Sequence, residues 1–126
     1  MPVENGYRVL IIGCGQLGSR HLQAVASMPT VAEIDVVDPR PEAWQLGQER
    51  LEEIQTREPS PKIRWHSTVD QASNNGDLCI IATRAAERCM VMREAAESLG
   101  YTSFLLEKIV AQSIKEMESS VALAAS

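Results

Sequence analysis

The sequence predicts an α/β fold: a single layer of parallel sheet, doubly wound, with helices on both faces. Three observations carry that expectation. Strand-length apolar runs alternate with helix-length segments along the 126 residues. The first run, Val9-Leu10-Ile11-Ile12, leads straight into Gly13-Cys14-Gly15-Gln16-Leu17-Gly18, a G-x-G-x-x-G turn that opens a helical pattern. The second run ends on an acid, Asp38, 20 residues after Gly18. Glycines recur by chance. The strand before them, the helix after them and the acid at that distance make the pattern specific.

Taken in order, Arg8 to Ile12 reads as a short buried strand. Gln16 to Met28 reads as a helix with Leu17, Leu22, Val25 and Ala26 on its inner side, stopped by Pro29. Glu33 to Val37 is the second strand, rich in β-formers. Pro41 suits the first position of a helix that runs to about Ile54 and carries Trp44, Leu46 and Leu51. After the loop Glu58-Pro59-Ser60-Pro61, Lys62 to His66 is short and half polar, as an edge strand should be. A short helix or turn fits Val69 to Ser73, and Asn74-Asn75-Gly76 is a turn. Asp77 to Ala82 holds the unbroken apolar run of a central parallel strand. Ala85 to Leu99 is a long helix closed by Gly100. Ser103 to Leu106 is the fifth strand, and Ser113, with Glu116 as its capping-box partner, starts a final helix.

Right-handed crossovers and the glycine turn on the first strand favour the order 3-2-1-4-5, the Rossmann arrangement, as one domain over residues 1–126. Composition agrees: 44% apolar and 23% charged residues are ordinary for a globular chain. A formal charge of −5 without a basic stripe argues against nucleic acid as a partner. No apolar run approaches the roughly 20 residues that span a bilayer, and no signal peptide is read at the N-terminus. Cys14, Cys79 and Cys89 lack metal-ligand spacing and read as reduced thiols, so the expectation is a cytoplasmic protein without membrane or metal.

The pattern points to a dinucleotide. Gly13 permits the tight turn out of the strand, Gly15 lets backbone approach a pyrophosphate, and Gly18 lets the helix lie close on the strand. The backbone at Gln16 and Leu17 then offers helix-terminal N–H groups to phosphate. Asp38 can accept hydrogen bonds from both adenosine ribose hydroxyls, which favours NAD. Arg40, close by, can accommodate a 2′-phosphate, so NADP stays open. The rival role for Asp38 is a turn former before Pro39. Thr83, after the fourth strand, stands where a hydroxyl meets the phosphate or nicotinamide half, or else merely ends a strand. Arg84 and Arg88 share one helix face, for which a solvated role is the default. Glu107 and Lys108 follow the fifth strand on the ligand side, where a lysine could place a positive charge near a reacting oxygen, although a surface Lys-Glu pair is the commoner explanation by composition. Cys14, at a helix N-terminus, reads as a small filler or as an activated thiol. His21 reads as packing on the sheet, His66 as remote from the site, and Trp44 and Trp65 as packing groups.

These motifs resemble the glucose–fructose oxidoreductase/inositol dehydrogenase (Gfo/Idh/MocA) family over nearly the whole chain. Gly13-Cys14-Gly15-Gln16-Leu17-Gly18-Ser19-Arg20-His21 is similar to its G-x-G-x-x-G-x-x-H opening. Leu78-Cys79-Ile80-Ile81-Ala82-Thr83 is similar to the strand that ends in Ala-Thr-Pro, and Phe104-Leu105-Leu106-Glu107-Lys108 to the strand that ends in Glu-Lys-Pro. The resemblance implies NAD(P)-dependent hydride transfer on a sugar, inositol or related alcohol. It assigns Lys108 to the substrate hydroxyl, Asp38 to the ribose and Thr83 to the cofactor. Ile109 and Arg84 stand where the family has proline, and Arg88 where histidine is frequent. The family's second, substrate-binding domain has no counterpart in these residues.

The leading expectation is therefore the cofactor domain of such an oxidoreductase, inactive by itself, completed by a missing domain or a homo-oligomer. A stand-alone nucleotide-binding or sensor module is the alternative. A domain for another nucleotide-bearing ligand such as CoA ranks third, because Asp38 fits a free 2′-hydroxyl.

Overall fold

Residues 6–54 and 60–106 are described in the computed structural model. The elements are β1 (Tyr7–Ile12), α1 (Gln16–Ala26), β2 (Val31–Val37), α2 (Pro41–Glu52), β3 (Lys62–His66), a 3-10 turn (Val69–Gln71), β4 (Leu78–Ile81), α3 (Ala85–Leu99) and β5 (Phe104–Leu106). All neighbouring strands are parallel, and their order is β3-β2-β1-β4-β5. The expected doubly wound Rossmann sheet is what the chain forms, with β3 on an edge as its half-polar composition foretold. Glu107, Lys108 and the helix expected from Ser113 lie outside the described residues.

Strand alternation builds two cores from one sheet. Val9 and Ile11 of β1 face Leu22, Val25 and Ala26 of α1 and Ala43 of α2. Leu10 and Ile12 face the opposite way, onto Met92, Ala95 and Leu99 of α3 and Tyr101. Central β1 and β4 are thus apolar on both faces, which explains their unbroken runs of valine, leucine and isoleucine.

In α1, two details depart from expectation. Helix α1 stops at Ala26 rather than Met28, and its inner face holds Gly18, Ser19, Leu22, Val25 and Ala26. Leu17, expected inside, is 56% exposed. The reason is the seating of α1 by Gly18: a Cβ there would lie 1.8 Å from the Gly13 carbonyl oxygen. With Gly18 turned onto the strand, the neighbouring Leu17 is carried to the outside.

A second close approach was invisible in the pattern. A Cβ at Gly47 of α2 would stand 2.8 Å from both Cys14 Sγ and the Trp65 ring. Cys14 is fully buried and Trp65 packs against the same core, so neither neighbour has room to yield. Alanine is the better helix former by about 1 kcal/mol, but overpacking a closed core costs about 1–3 kcal/mol. Gly47→Ala is therefore expected to lower thermal stability, and a melting temperature equal to or above wild type would contradict this packing.

Candidate functional site

A cleft of about 780 Å³ lies across the carboxyl ends of the strands, at the point where the winding reverses between β1 and β4. Ligands of open α/β sheets bind in this position, and the size is in the range of small-molecule sites. Its lining includes Gly13 and Gly15 from the first turn, Asp38 and Arg40 from the end of β2, and Thr83 after β4. Residues far apart in the chain, and singled out from the sequence alone, therefore converge.

The turn is built by its glycines. Gly13 has φ +95°, a region other residues avoid, and its N–H donates to Val37 O at 2.8 Å. Gly15 is the N-cap of α1 and has no side chain to cap it, and the first turn carries no acid. The N–H groups of that turn are left for an anion, aided by the helix dipole. A Cβ on Gly15 would meet only Arg40 Nη2, at 3.6 Å. Gly13 and Gly18 are thus needed by the fold, whereas Gly15 borders open cleft. Gln16 and Leu17 do not line the cleft with their side chains. Gln16 Oε1 accepts from Arg50 Nη2 of α2 at 3.0 Å, and Gly18 is held against Gly13.

Asp38 is 3% exposed. Its Oδ2 accepts the Cys14 N–H at 2.9 Å and Arg40 Nη2 at 3.0 Å; Oδ1 accepts the Arg40 N–H at 2.9 Å and Nε at 3.0 Å. Burial pushes this carboxyl up. The Arg40 guanidinium and the N–H groups of Cys14 and Arg40 outweigh burial and hold it below its ordinary value. The same hydrogen bond raises Arg40. Asp38 is also a turn residue, since its carboxylate bonds the N–H two positions on.

The thiol of Cys14 points away from the cleft, into the core beside Gly47 and Trp65. Burial, reinforced by the Asp38 charge, pushes it up to about 11 despite Arg40. The possibility of an activated thiol is thereby overturned; desolvation beats the helix terminus, and Cys14 is a filler.

Thr83 Oγ1 is buried without a hydrogen-bond partner among the described residues, while its carbonyl accepts Arg88 Nε at 3.1 Å. Arg88 is only 8% exposed, against the solvated role expected for it. Arg84 is exposed, with its guanidinium 3.5 Å from Glu87. His66 Nε2 is 2.8 Å from Asp35 Oδ1 and does not line the cleft, yet the next residues, Ser67 to Asp70, form a wall of it. That wall was missed. Its signal is Thr68-x-x-Gln71, whose reciprocal capping box fixes the loop after β3. Trp44 is half-buried and donates from Nε1 to Asp38 O at 2.7 Å, whereas Trp65 packs against the core as expected. Among the described residues, no cluster has the makings of a metal site and no helix is long and apolar enough to cross a membrane.

No protein-family model matches the chain, and no curated protein matches it. Solved structures do match. GenD2 from gentamicin A biosynthesis, in complex with NAD, superposes with a TM-score of 0.75 at 20% identity, covering 99% of this chain and 33% of its own. Malate dehydrogenase from Salinibacter ruber follows with a TM-score of 0.68 at 14% identity, over 94% of this chain and 41% of its own. Lactate dehydrogenase from Eimeria maxima, with NADH and oxamate, has a TM-score of 0.63 at 11% identity, over 96% and 41%. At such identities the likeness carries the fold: this chain has the same Rossmann architecture. It spans about a third of the first protein and about two fifths of the other two.

The depressed Asp38 carboxyl stabilises the fold above its unfolded value of about 3.9, and that contribution is lost as pH falls through the lower folded value. Asn imitates the protonated form. Asp38→Asn is expected to lose about 1–3 kcal/mol at neutral pH, with the gap to wild type closing in acid. Denaturant titrations across that range check it; a gap that persists in strong acid refutes the ion pair.

Proposed function

We propose that this chain is a nicotinamide-dinucleotide-binding domain of an oxidoreductase, with NAD as its cofactor. The observation that carries the reading is the uncapped N-terminus of α1 at Gly15, opening into a cleft that Asp38 also lines. The residues present fit the group. The first-turn N–H groups of α1 would hold the pyrophosphate, and Asp38 with Arg40 would face the adenosine ribose. The orphaned Thr83 Oγ1 is a polar atom in want of a partner on the other side of the switch point. Solved structures of the same fold, one in complex with NAD and one with NADH, support this.

When bound, the nicotinamide supplies hydride transfer at its ring, and the protein supplies position and charge. By resemblance to the Gfo/Idh/MocA family the substrate is a sugar, inositol or related alcohol. Lys108, two residues beyond β5, would then hold or move the proton of the reacting hydroxyl, with Glu107 beside it. Substrate contacts and turnover would belong to a further domain or a partner copy, and the chain by itself is expected to bind cofactor without turning over a polyol.

Calorimetric titration with NADH is the test. Gly15→Val is the sharpest variant, because a Cβ there meets nothing in the fold except the tip of Arg40. It is expected to melt like wild type and to lose NADH binding, since the added methyls stand where phosphate must approach. Absence of NADH binding by the wild-type chain, or undiminished binding by Gly15→Val, overturns the assignment.

A further inference from the structure

Strand β2 carries an acid among apolar neighbours. Asp35 sits between Ile34 and Val36, is 3% exposed, and by alternation shares a sheet face with Val37. A carboxylate is kept in such a place only by partners that match it. Its two oxygens reach the two ends of one loop. Oδ1 is 2.8 Å from Nε2 of His66, the last residue of β3, and 3.7 Å from Arg64 Nη1; Oδ2 accepts the Ser73 N–H at 3.3 Å. Between those ends, Ser67 to Asp70 line the cleft, although Asp35 itself does not. Within the loop, Gln71 Oε1 accepts the N–H groups of Ser67 and Thr68, and Val69 and Ala72 are sunk in the core. His66 O accepts the Asp38 N–H at 3.0 Å, so this wall abuts the end of β2.

Resting on the reading of this cleft as a dinucleotide site, we propose that Asp35 is a positioning residue for the cofactor: by gripping His66 and Ser73 it holds residues 67–72 as a ready-made wall for the adenosine half. A wall that is already ordered loses little conformational freedom when the ligand arrives, so affinity is kept that a loose loop would forfeit. Without Asp35 the loop retains its internal capping box and its two core anchors, but loses the side chain that joins its ends. The defect then falls on ligands that carry the adenosine half, and it does so without any change in a group that touches them.

The experiment is calorimetric titration of the full chain with NADH and with ADP-ribose, which keeps the adenosine half and lacks the nicotinamide, for wild type, Asp35→Ala and Val25→Ala. Val25 belongs to the core on the opposite face of the sheet and is the control for lost packing alone; both variants are titrated well below their melting temperatures. Asp35→Ala is expected to lose about tenfold in affinity for both ligands alike, the scale of ordering one residue's backbone on binding. Val25→Ala is expected to bind as wild type does. His66→Phe, which frees one end of the loop, is expected to weaken both ligands in the same way; it takes the place of Asp35→Ala should that variant not fold, with wild-type affinity as the refuting result. Equal affinities for Asp35→Ala and Val25→Ala, or a loss that spares ADP-ribose, overturn the proposal and leave the dinucleotide reading standing. Binding of neither ligand by wild type overturns both.

Discussion

Helix α1 can lie on the sheet only because position 18 carries no side chain. The Gly13 carbonyl oxygen fills the place where a Cβ would be, and Ala82 closes the other side. That contact sets the height of the helix over β1 and hence where its uncapped N-terminus opens. It goes with the positive φ of Gly13 and the outward position of Leu17. The cleft therefore follows from one backbone approach, and the apolar cores on the two faces hold that approach in place.

Asp38 performs the second fastening. Its carboxylate ties the first turn to the end of β2 through the Cys14 N–H, so two sides of the cleft share one buried anion. A buried carboxylate is tolerated only when it is hydrogen-bonded and charge-matched, and here Arg40 and two backbone N–H groups meet that demand. The side chain that fastens the turn also lines the cleft. The turn-former and ribose readings of Asp38 are for that reason compatible.

The strand order and nearly every element were readable because they rest on local periodicity and on turn residues. The run Leu78-Cys79-Ile80-Ile81 and the stop at Gly100 are examples, the latter at φ +78°. Gly13, Gly15, Asp38, Arg40 and Thr83 were readable as one site because their spacing encodes the switch point. What escaped the sequence depends on contacts between distant residues. The inert state of Cys14 follows from Gly47 and Trp65, 33 and 51 positions away. The burial of Arg88 follows from the carbonyl of Thr83, and the wall at Ser67 to Asp70 from how the chain leaves an edge strand. None of these leaves a periodic trace.

Arg40 is also the N-cap of α2, followed by Pro41 at the first helical position. Its own N–H is bonded to Asp38, and the proline ring fixes the next φ angle, so the backbone there is clamped on both sides. Rearrangement of the Asp38–Arg40 pair then falls to the exposed Arg40 side chain. Rotations of an exposed side chain take picoseconds to nanoseconds, whereas loops and domains move orders of magnitude more slowly. Among the described residues, this end of the cleft is thus a fixed backbone that carries one fast-moving cation.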